Sequence, residues 1–121
     1  FFSPGTPQVY YAGLLAEKND LALLSQTNVG RDINRPYLDS ERIEQALAKP
    51  FTKAIIELIK FRNNCDAFNG DFTISSELAT LKMSWKNNEQ RATLMIDLAD
   101  RNAFIEVNEH NKVHIIRLDS L

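Results

Sequence analysis

The residues best suited to chemistry lie in a polar segment from Glu17 to Tyr37, and mainly in its motif NVGRDINR at residues 28–35. The motif sets two guanidinium groups, those of Arg31 and Arg35, beside a carboxylate and a carboxamide. A guanidinium presents its N–H donors in a fixed fork that suits hydroxyl and carboxylate partners. Taken alone, an arginine in such a loop is most simply a solvated surface residue. However, about twenty residues with little predicted structure is long for a compact domain, and long loops are usually functional.

Two other groups of residues could carry chemistry, and neither has the required pattern. Cys65 is the single cysteine and cannot form an internal disulfide, and no base can be placed beside it. We therefore expect a buried or half-buried thiol. Glu109, His110 and His114 straddle a turn and a strand instead of sharing a helical face, so no metal site is predicted.

The composition is typical of a soluble globular protein, with 44% hydrophobic and 25% charged residues among 121. A formal charge of -2 does not favour a phosphate backbone or an anionic lipid surface. No apolar run approaches the roughly 18 residues that span a bilayer, and the start lacks the pattern of a signal peptide. With the single cysteine, these features predict a cytoplasmic protein that binds neither nucleic acid nor membrane.

The first half of the chain is predicted to hold one buried strand and short helices. The apolar run PQVYYAGLLA at residues 7–16 lacks alternation, which is typical of a strand covered on both faces in a parallel sheet. Asn19 or Asp20 could cap one or two helical turns, and residues 27–37 predict a loop. Two helices should follow, from Asp39 or Ser40 to about Lys49 and from Pro50 to about Arg62.

Beyond Asn69-Gly70 the hydrophobic period becomes that of β-strands. The alternation predicts an antiparallel meander with one apolar face and with Trp85 in its core. About five strands are expected, near residues 72–74, 79–85, 92–98, 103–107 and 113–118. The preceding helices and single strand cannot close a core with a separate meander unless more protein covers them.

Three motifs occur in the order and spacing seen at the end of sucrose phosphorylases: FSPGTPQVYYAGLLA at residues 2–16, NVGRDINR at residues 28–35 and FRNNCDAFNGDF at residues 61–72. The chain therefore resembles that family, which belongs to glycoside hydrolase family 13 of the α-amylase superfamily. The resemblance implies an α+β fragment: the last strand and helices of a (β/α)8 barrel, then a small antiparallel C-terminal domain. Residues 1–66 would complete the catalytic barrel, and residues 67–121 would form that domain. The absence of methionine at Phe1 fits a fragment.

The activity implied by the resemblance is retaining transfer of glucose from sucrose, or a related α-glucoside, to inorganic phosphate, which gives glucose 1-phosphate. The family's aspartate nucleophile and glutamate acid/base come from earlier barrel strands. This chain is therefore expected to contain no catalytic residue and to be inactive alone. Its partners would be the sugar and phosphate, and neither a metal nor an organic cofactor is implied.

Arg31 matches the arginine that binds the donor glucosyl unit in the family, where it can also pair with a carboxylate of the barrel. Asp32, Asn34 and Arg35 complete the motif and are expected mainly to shape the loop, while Asn34 and Arg35 join Arg31 in the predicted substrate-binding set, with Asn34 or Arg35 near the acceptor. The chain departs from the family at Pro36-Tyr37, where histidine and tyrosine are common. This departure leaves the substrate open among sucrose, sucrose 6-phosphate, glucosylglycerol and glucosylglycerate.

Two further expectations concern the first strand and a rival function. Tyr10 and Tyr11 could stack on a sugar, but residues of a barrel strand more often pack in the core. An unpaired strand at residues 7–14 should be covered by another copy, by a rearranged segment or by the rest of the barrel, and the first two cases would give a homo-oligomer or a strand-exchanged fragment. The rival function is a non-catalytic structural or interaction module of a carbohydrate-active enzyme, for which the loop carrying Arg31 would have no use.

Overall fold

The structure is a computed structural model that describes residues 1–109 and 112–118. The chain divides into two compact units, which we call the sheet unit, Phe1–Pro7 with Ile59–Leu121, and the helical unit, Gln8–Leu58. The elements are helices α1 (Tyr11–Leu14), α2 (Leu21–Thr27), α3 (Ser40–Ala48) and α4 (Pro50–Asn64), 3-10 helices at Gly30–Asn34 and Asp66–Asn69, and strands β1 (Asp71–Glu77), β2 (Thr80–Asn87), β3 (Gln90–Asp97), β4 (Asn102–Glu109) and β5 (Lys112–Arg117).

The sheet unit contains the predicted antiparallel meander, with its five strands in the order β1-β2-β3-β4-β5. The alternation in the sequence therefore predicted both the number of strands and their pairing. The first two hairpins are tight, because Glu77 pairs with Thr80 and Asn87 pairs with Gln90. Leu78 and Asn88 follow β1 and β2 directly, and both have positive φ angles, of 50° and 51°.

An aromatic cluster forms the core on the apolar face of the sheet. Phe68 lies 5.1 Å from the ring of Phe2 and 5.9 Å from that of Trp85, measured between centroids. The indole Nε1 of Trp85 donates a 2.7 Å hydrogen bond to the carbonyl of Phe2. The guanidinium of Arg62 lies 4.0 Å above the Phe68 ring, in cation–π geometry. Trp85 is therefore a core residue, as the strand spacing predicted.

The turn before β1 depends on a glycine. A Cβ atom built at Gly70 would lie 1.9 Å from the carbonyl oxygen of Lys86 in β2. Only a residue without a side chain allows the two backbones to approach this closely. The Asn69-Gly70 turn signal therefore marks a close contact between backbones as well as a change of period.

The strand predicted for residues 7–16 is wrong in this chain. Residues 8–10 form no regular element, Tyr11–Leu14 form the short helix α1, and Val9 is 41% exposed. The amide groups of a strand need neighbouring strands, and no described residue pairs with this segment. Its backbone bonds locally instead, from Leu14 N to the Tyr10 carbonyl and from Leu15 N to the Tyr11 carbonyl. The barrel that the resemblance implied is thus not visible in these residues.

The helices largely follow their sequence signals. The Asp20 side chain caps α2 by accepting from Leu23 N, and Asp39 caps α3 by accepting from Arg42 N, each at 2.8 Å. Helix α4 begins at Pro50, as predicted. The predicted loop at residues 27–37 differs, because it contains the 3-10 helix. No helix in the described part of the chain is long and apolar enough to cross a membrane.

Candidate functional site

The NVGRDINR motif folds as a compact turn that closes back on helix α2. Asn28 ends α2 in the left-handed conformation, with φ 56°, and its N–H bonds to the Leu24 carbonyl at 2.8 Å. The 3-10 helix Gly30–Asn34 follows at once. The amide of Asp20, at the start of α2, donates a 2.6 Å hydrogen bond to the carbonyl of Ile33. The backbone carrying Arg31 is therefore held at both sides, which favours a defined position for its side chain.

The three predicted substrate-binding residues lie on this turn. Arg31 and Asn34 belong to the 3-10 helix and Arg35 ends it, and all three are exposed. Within residues 1–109 and 112–118, the side chain of Arg31 forms no hydrogen bond or ion pair. Its guanidinium donors can therefore meet a ligand without first breaking an internal bond.

Two tyrosines lie close to the end of the motif. The rings of Tyr10 and Tyr11 are 4.7 Å apart, and the Tyr11 hydroxyl donates a weak 3.5 Å bond to the Pro36 carbonyl. The pKa of Tyr11 is raised, mainly by the neighbouring hydroxyl of Tyr10, while the positive charge of Arg35 acts in the opposite direction. The two residues are 44% and 41% exposed, so the prediction that both pack in a core is wrong in this chain.

A charged cluster lies at the base of the loop. The carboxylate of Glu17, whose side chain is only 6% exposed, contacts Arg42 at 2.7 Å and Lys49 at 3.4 Å. Arg42 also donates to the Tyr37 carbonyl at 3.4 Å, and Lys49 donates to the Leu15 carbonyl at 3.0 Å. Sequence reasoning missed this cluster, because Glu17 and Arg42 are 25 positions apart. The i,i+3 and i,i+4 spacing rules for helices give no signal for such a pair.

The described residues offer neither a metal site nor an activated nucleophile. No group of three His, Cys, Asp or Glu side chains in residues 1–109 and 112–118 could hold a metal ion, and His110 lies outside the described residues. Burial raises the pKa of the Cys65 thiol, which opposes formation of the reactive thiolate. The exposed groups of the 28–35 turn are suited to polar binding.

Comparison with known proteins identifies relatives of this chain. No family model matches the chain. It is 44% identical to the sucrose phosphorylase of Agrobacterium vitis over 106 residues, which are 87% of the chain and 22% of that protein. It is 40% identical to the sucrose 6(F)-phosphate phosphorylase of Thermoanaerobacterium thermosaccharolyticum over 93% of the chain and 23% of that protein. The glucosylglycerol phosphorylase of Marinobacter adhaerens is 43% identical over 81% of the chain and 21% of that protein.

A solved structure agrees with the sequence comparison. The crystal structure of sucrose 6F-phosphate phosphorylase from Thermoanaerobacter thermosaccharolyticum matches 97% of the chain and 24% of that protein, with a TM-score of 0.91 and 37% identity. The fold and sequence together define a relative of glycoside phosphorylases. The chain belongs to the sucrose phosphorylase family, as its motifs predicted. It spans about a fifth of the length of the curated relatives that it matches.

Proposed function

We propose that this chain is the C-terminal part of a sucrose phosphorylase-like enzyme, which transfers glucose from sucrose or a related α-glucoside to inorganic phosphate and so forms glucose 1-phosphate. The observation that carries the proposal is the agreement among relatives: proteins named as phosphorylases of three different glucosides are 40 to 44% identical over 81 to 93% of this chain. A cytoplasmic location and membership of glycoside hydrolase family 13 belong to the same proposal.

Residues 1–66 would complete a catalytic (β/α)8 barrel, and residues 67–121 would form the C-terminal domain. In such barrels the active site lies on the loops that follow the strands. The 28–35 turn follows residues 7–14, which would gain strand partners only in the complete barrel, so it would face the sugar. The nucleophile and the acid/base would come from the remainder of the enzyme, and this chain alone would be inactive.

Arg31 would bind the donor glucosyl unit. Its side chain is exposed on a turn whose backbone is held by the hydrogen bond between Asp20 and Ile33, so the fold positions the backbone of Arg31 and leaves its guanidinium unoccupied by other residues of the described chain. Hydrogen bonds that involve a charged group contribute about 1.5–3 kcal/mol each. Their loss on mutation to alanine should lower kcat/KM for the donor by about 10-fold to 100-fold. Asn34 or Arg35 would lie nearer the acceptor.

Phosphorolysis by the complete protein that carries this chain tests the proposal. Sucrose, sucrose 6-phosphate, glucosylglycerol and glucosylglycerate would each be supplied with inorganic phosphate, and the release of glucose 1-phosphate measured. We expect one of these glucosides to be a good donor, and Arg31→Ala to reduce kcat/KM with it. Arg91→Ala, which removes an exposed arginine from β3, should have wild-type kinetics. Failure of all four glucosides to release the product would reject phosphorylase activity in favour of a structural module.

A further inference from the structure

The two ends of the polar loop are joined by a single side chain. One guanidinium nitrogen of Arg42 donates to the Glu17 carboxylate at 2.7 Å, and the other donates to the Tyr37 carbonyl at 3.4 Å. Glu17 and Tyr37 are the first and last residues of the segment that carries the 28–35 turn. Arg42 itself is fixed by helix α3, where its amide is bonded to the N-cap Asp39. One arginine therefore ties both ends of the loop to the start of a helix.

The Glu17 side of this contact is more than a surface ion pair. The Glu17 side chain is 6% exposed, whereas those of Arg42 and Lys49 are 48% and 41% exposed. A carboxylate so far removed from water needs its partners, since loss of one leaves a poorly compensated charge. Exposed ion pairs between mobile side chains contribute little by comparison. The burial of Glu17 thus favours a fixed geometry over a set of alternative contacts.

A planar guanidinium suits this double contact better than an ammonium. Its N–H donors point in fixed, divergent directions, so one group can serve a carboxylate and a carbonyl that belong to different segments. Closer to the turn, the hydrogen bond from Asp20 N to the Ile33 carbonyl forms a second cross-link within the loop. The loop therefore has two cross-links, an outer one at Arg42 and an inner one at Asp20.

We infer that the Glu17–Arg42–Tyr37 contact is a clasp that sets the position of Arg31, which makes Arg42 and Glu17 positioning residues for the donor sugar. The inference rests on the proposed function, because the clasp acts through Arg31. Neither residue contacts the ligand in this scheme. A displacement of about 1 Å at a binding group can lower the rate about 100-fold, so a loosened clasp should be visible in kinetics.

The test is a double-mutant cycle in the complete enzyme, with the best donor glucoside and inorganic phosphate. Arg42→Met alone should lower kcat/KM for the donor by about tenfold, mainly through KM. In an Arg31→Ala background, the same change should lower kcat/KM less than twofold, because the group that the clasp positions is already absent. Glu17→Gln, a milder change of nearly the same shape, should repeat this pattern at smaller size.

Lys49→Met is the matched control, because Lys49 contacts Glu17 and the Leu15 carbonyl but does not reach Tyr37. It should destabilise the protein without the donor-specific loss of kcat/KM. Hydrogen exchange of a peptide spanning residues 27–35 provides a second measurement, and should be faster in Arg42→Met than in Lys49→Met.

Each of three outcomes would overturn the role of the clasp. Equal losses from Arg42→Met in both backgrounds would overturn the inference, because Arg42 would then act independently of Arg31. Wild-type kinetics in Arg42→Met and Glu17→Gln, beside an impaired Arg31→Ala, would also overturn it and leave the proposed function standing. Wild-type kinetics in Arg31→Ala would reject both the role of Arg31 and the clasp that depends on it.

Discussion

Replacement of Gly70 by alanine should destabilise the sheet unit more than any other single methyl addition at a glycine of the chain. The added Cβ would lie 1.9 Å from the Lys86 carbonyl oxygen, 2.5 Å from its carbon and 2.7 Å from the Asn87 Cα. All three atoms belong to the backbone, so no side chain can rotate away. Lys86 pairs with Asp71 on one side and with Arg91 on the other, so its movement would disturb two hairpins.

The expected cost follows from the size of that movement. Ordinary contact begins near 3.4 Å, so Gly70 and Lys86 must separate by more than 1 Å. Overpacking that shifts backbone costs about 1–3 kcal/mol and sometimes more, and a clash with paired strands belongs at the upper end. We expect a loss of about 3 kcal/mol. With a urea m-value of about 1–3 kcal/mol/M, the unfolding midpoint should fall by about 1–3 M.

Tryptophan fluorescence provides a local assay. In this 121-residue chain Trp85 is the single tryptophan, is buried and belongs to the sheet unit, so its emission from the isolated chain reports unfolding of that unit. The matched control is Gly13→Ala, followed by circular dichroism. A Cβ at Gly13 meets nothing within 4 Å and lies in helix α1, where alanine is favoured by about 0.5–1 kcal/mol. A Gly70→Ala midpoint within 0.3 M of wild type, a shift well below that of about 1–3 M expected from the clash, would refute the close-approach argument.

Three further predictions concern the sheet unit. Leu78 is fully exposed and has a positive φ of 50°, a conformation that asparagine adopts more readily than leucine, so Leu78→Asn should raise the free energy of unfolding by about 1 kcal/mol. Asn88→Leu, at the equivalent position of the next turn, should lower it by about the same amount. Urea unfolding measures both changes. Trp85→Phe should cost about 1–3 kcal/mol by circular dichroism, because it leaves the Phe2 carbonyl without its buried donor. Burial raises the pKa of the Cys65 thiol in the folded state, so its contribution to stability is present below the ordinary thiol pKa and is lost as the pH rises above it. Cys65→Ser should therefore flatten the alkaline decline of the unfolding free energy measured by urea titration. An unchanged decline would contradict the assignment to Cys65.

Local signals in the sequence predicted the sheet and most helix boundaries. The alternation of apolar residues and the turn residues between them are properties of adjacent positions, and β2 pairs with its neighbours in sequence on both sides. Helix caps are equally local, which is why Asp20 and Asp39 were each one of two cap candidates that the sequence offered. The motif that resembles a known family also identified Arg31 as a binding candidate.

The remaining features depend on distant residues. Residues 7–16 have the composition of a buried strand, but a strand forms only with partners, and the described chain supplies none for this segment. The contact between Glu17 and Arg42 joins a chain segment to a helix 25 positions later, a distance at which charge spacing carries no information. Both depend on tertiary structure, which overrides local preference.

The proposed role of Arg31 is to bind the donor glucosyl unit of a phosphorylase. The most direct measurement is a crystal structure of the complete protein, inactivated at its nucleophile and soaked with its preferred glucoside. We expect guanidinium nitrogens of Arg31 at about 2.7–3.2 Å from hydroxyl oxygens of the bound glucose. A glucose bound elsewhere, with Arg31 directed into solvent, would contradict it.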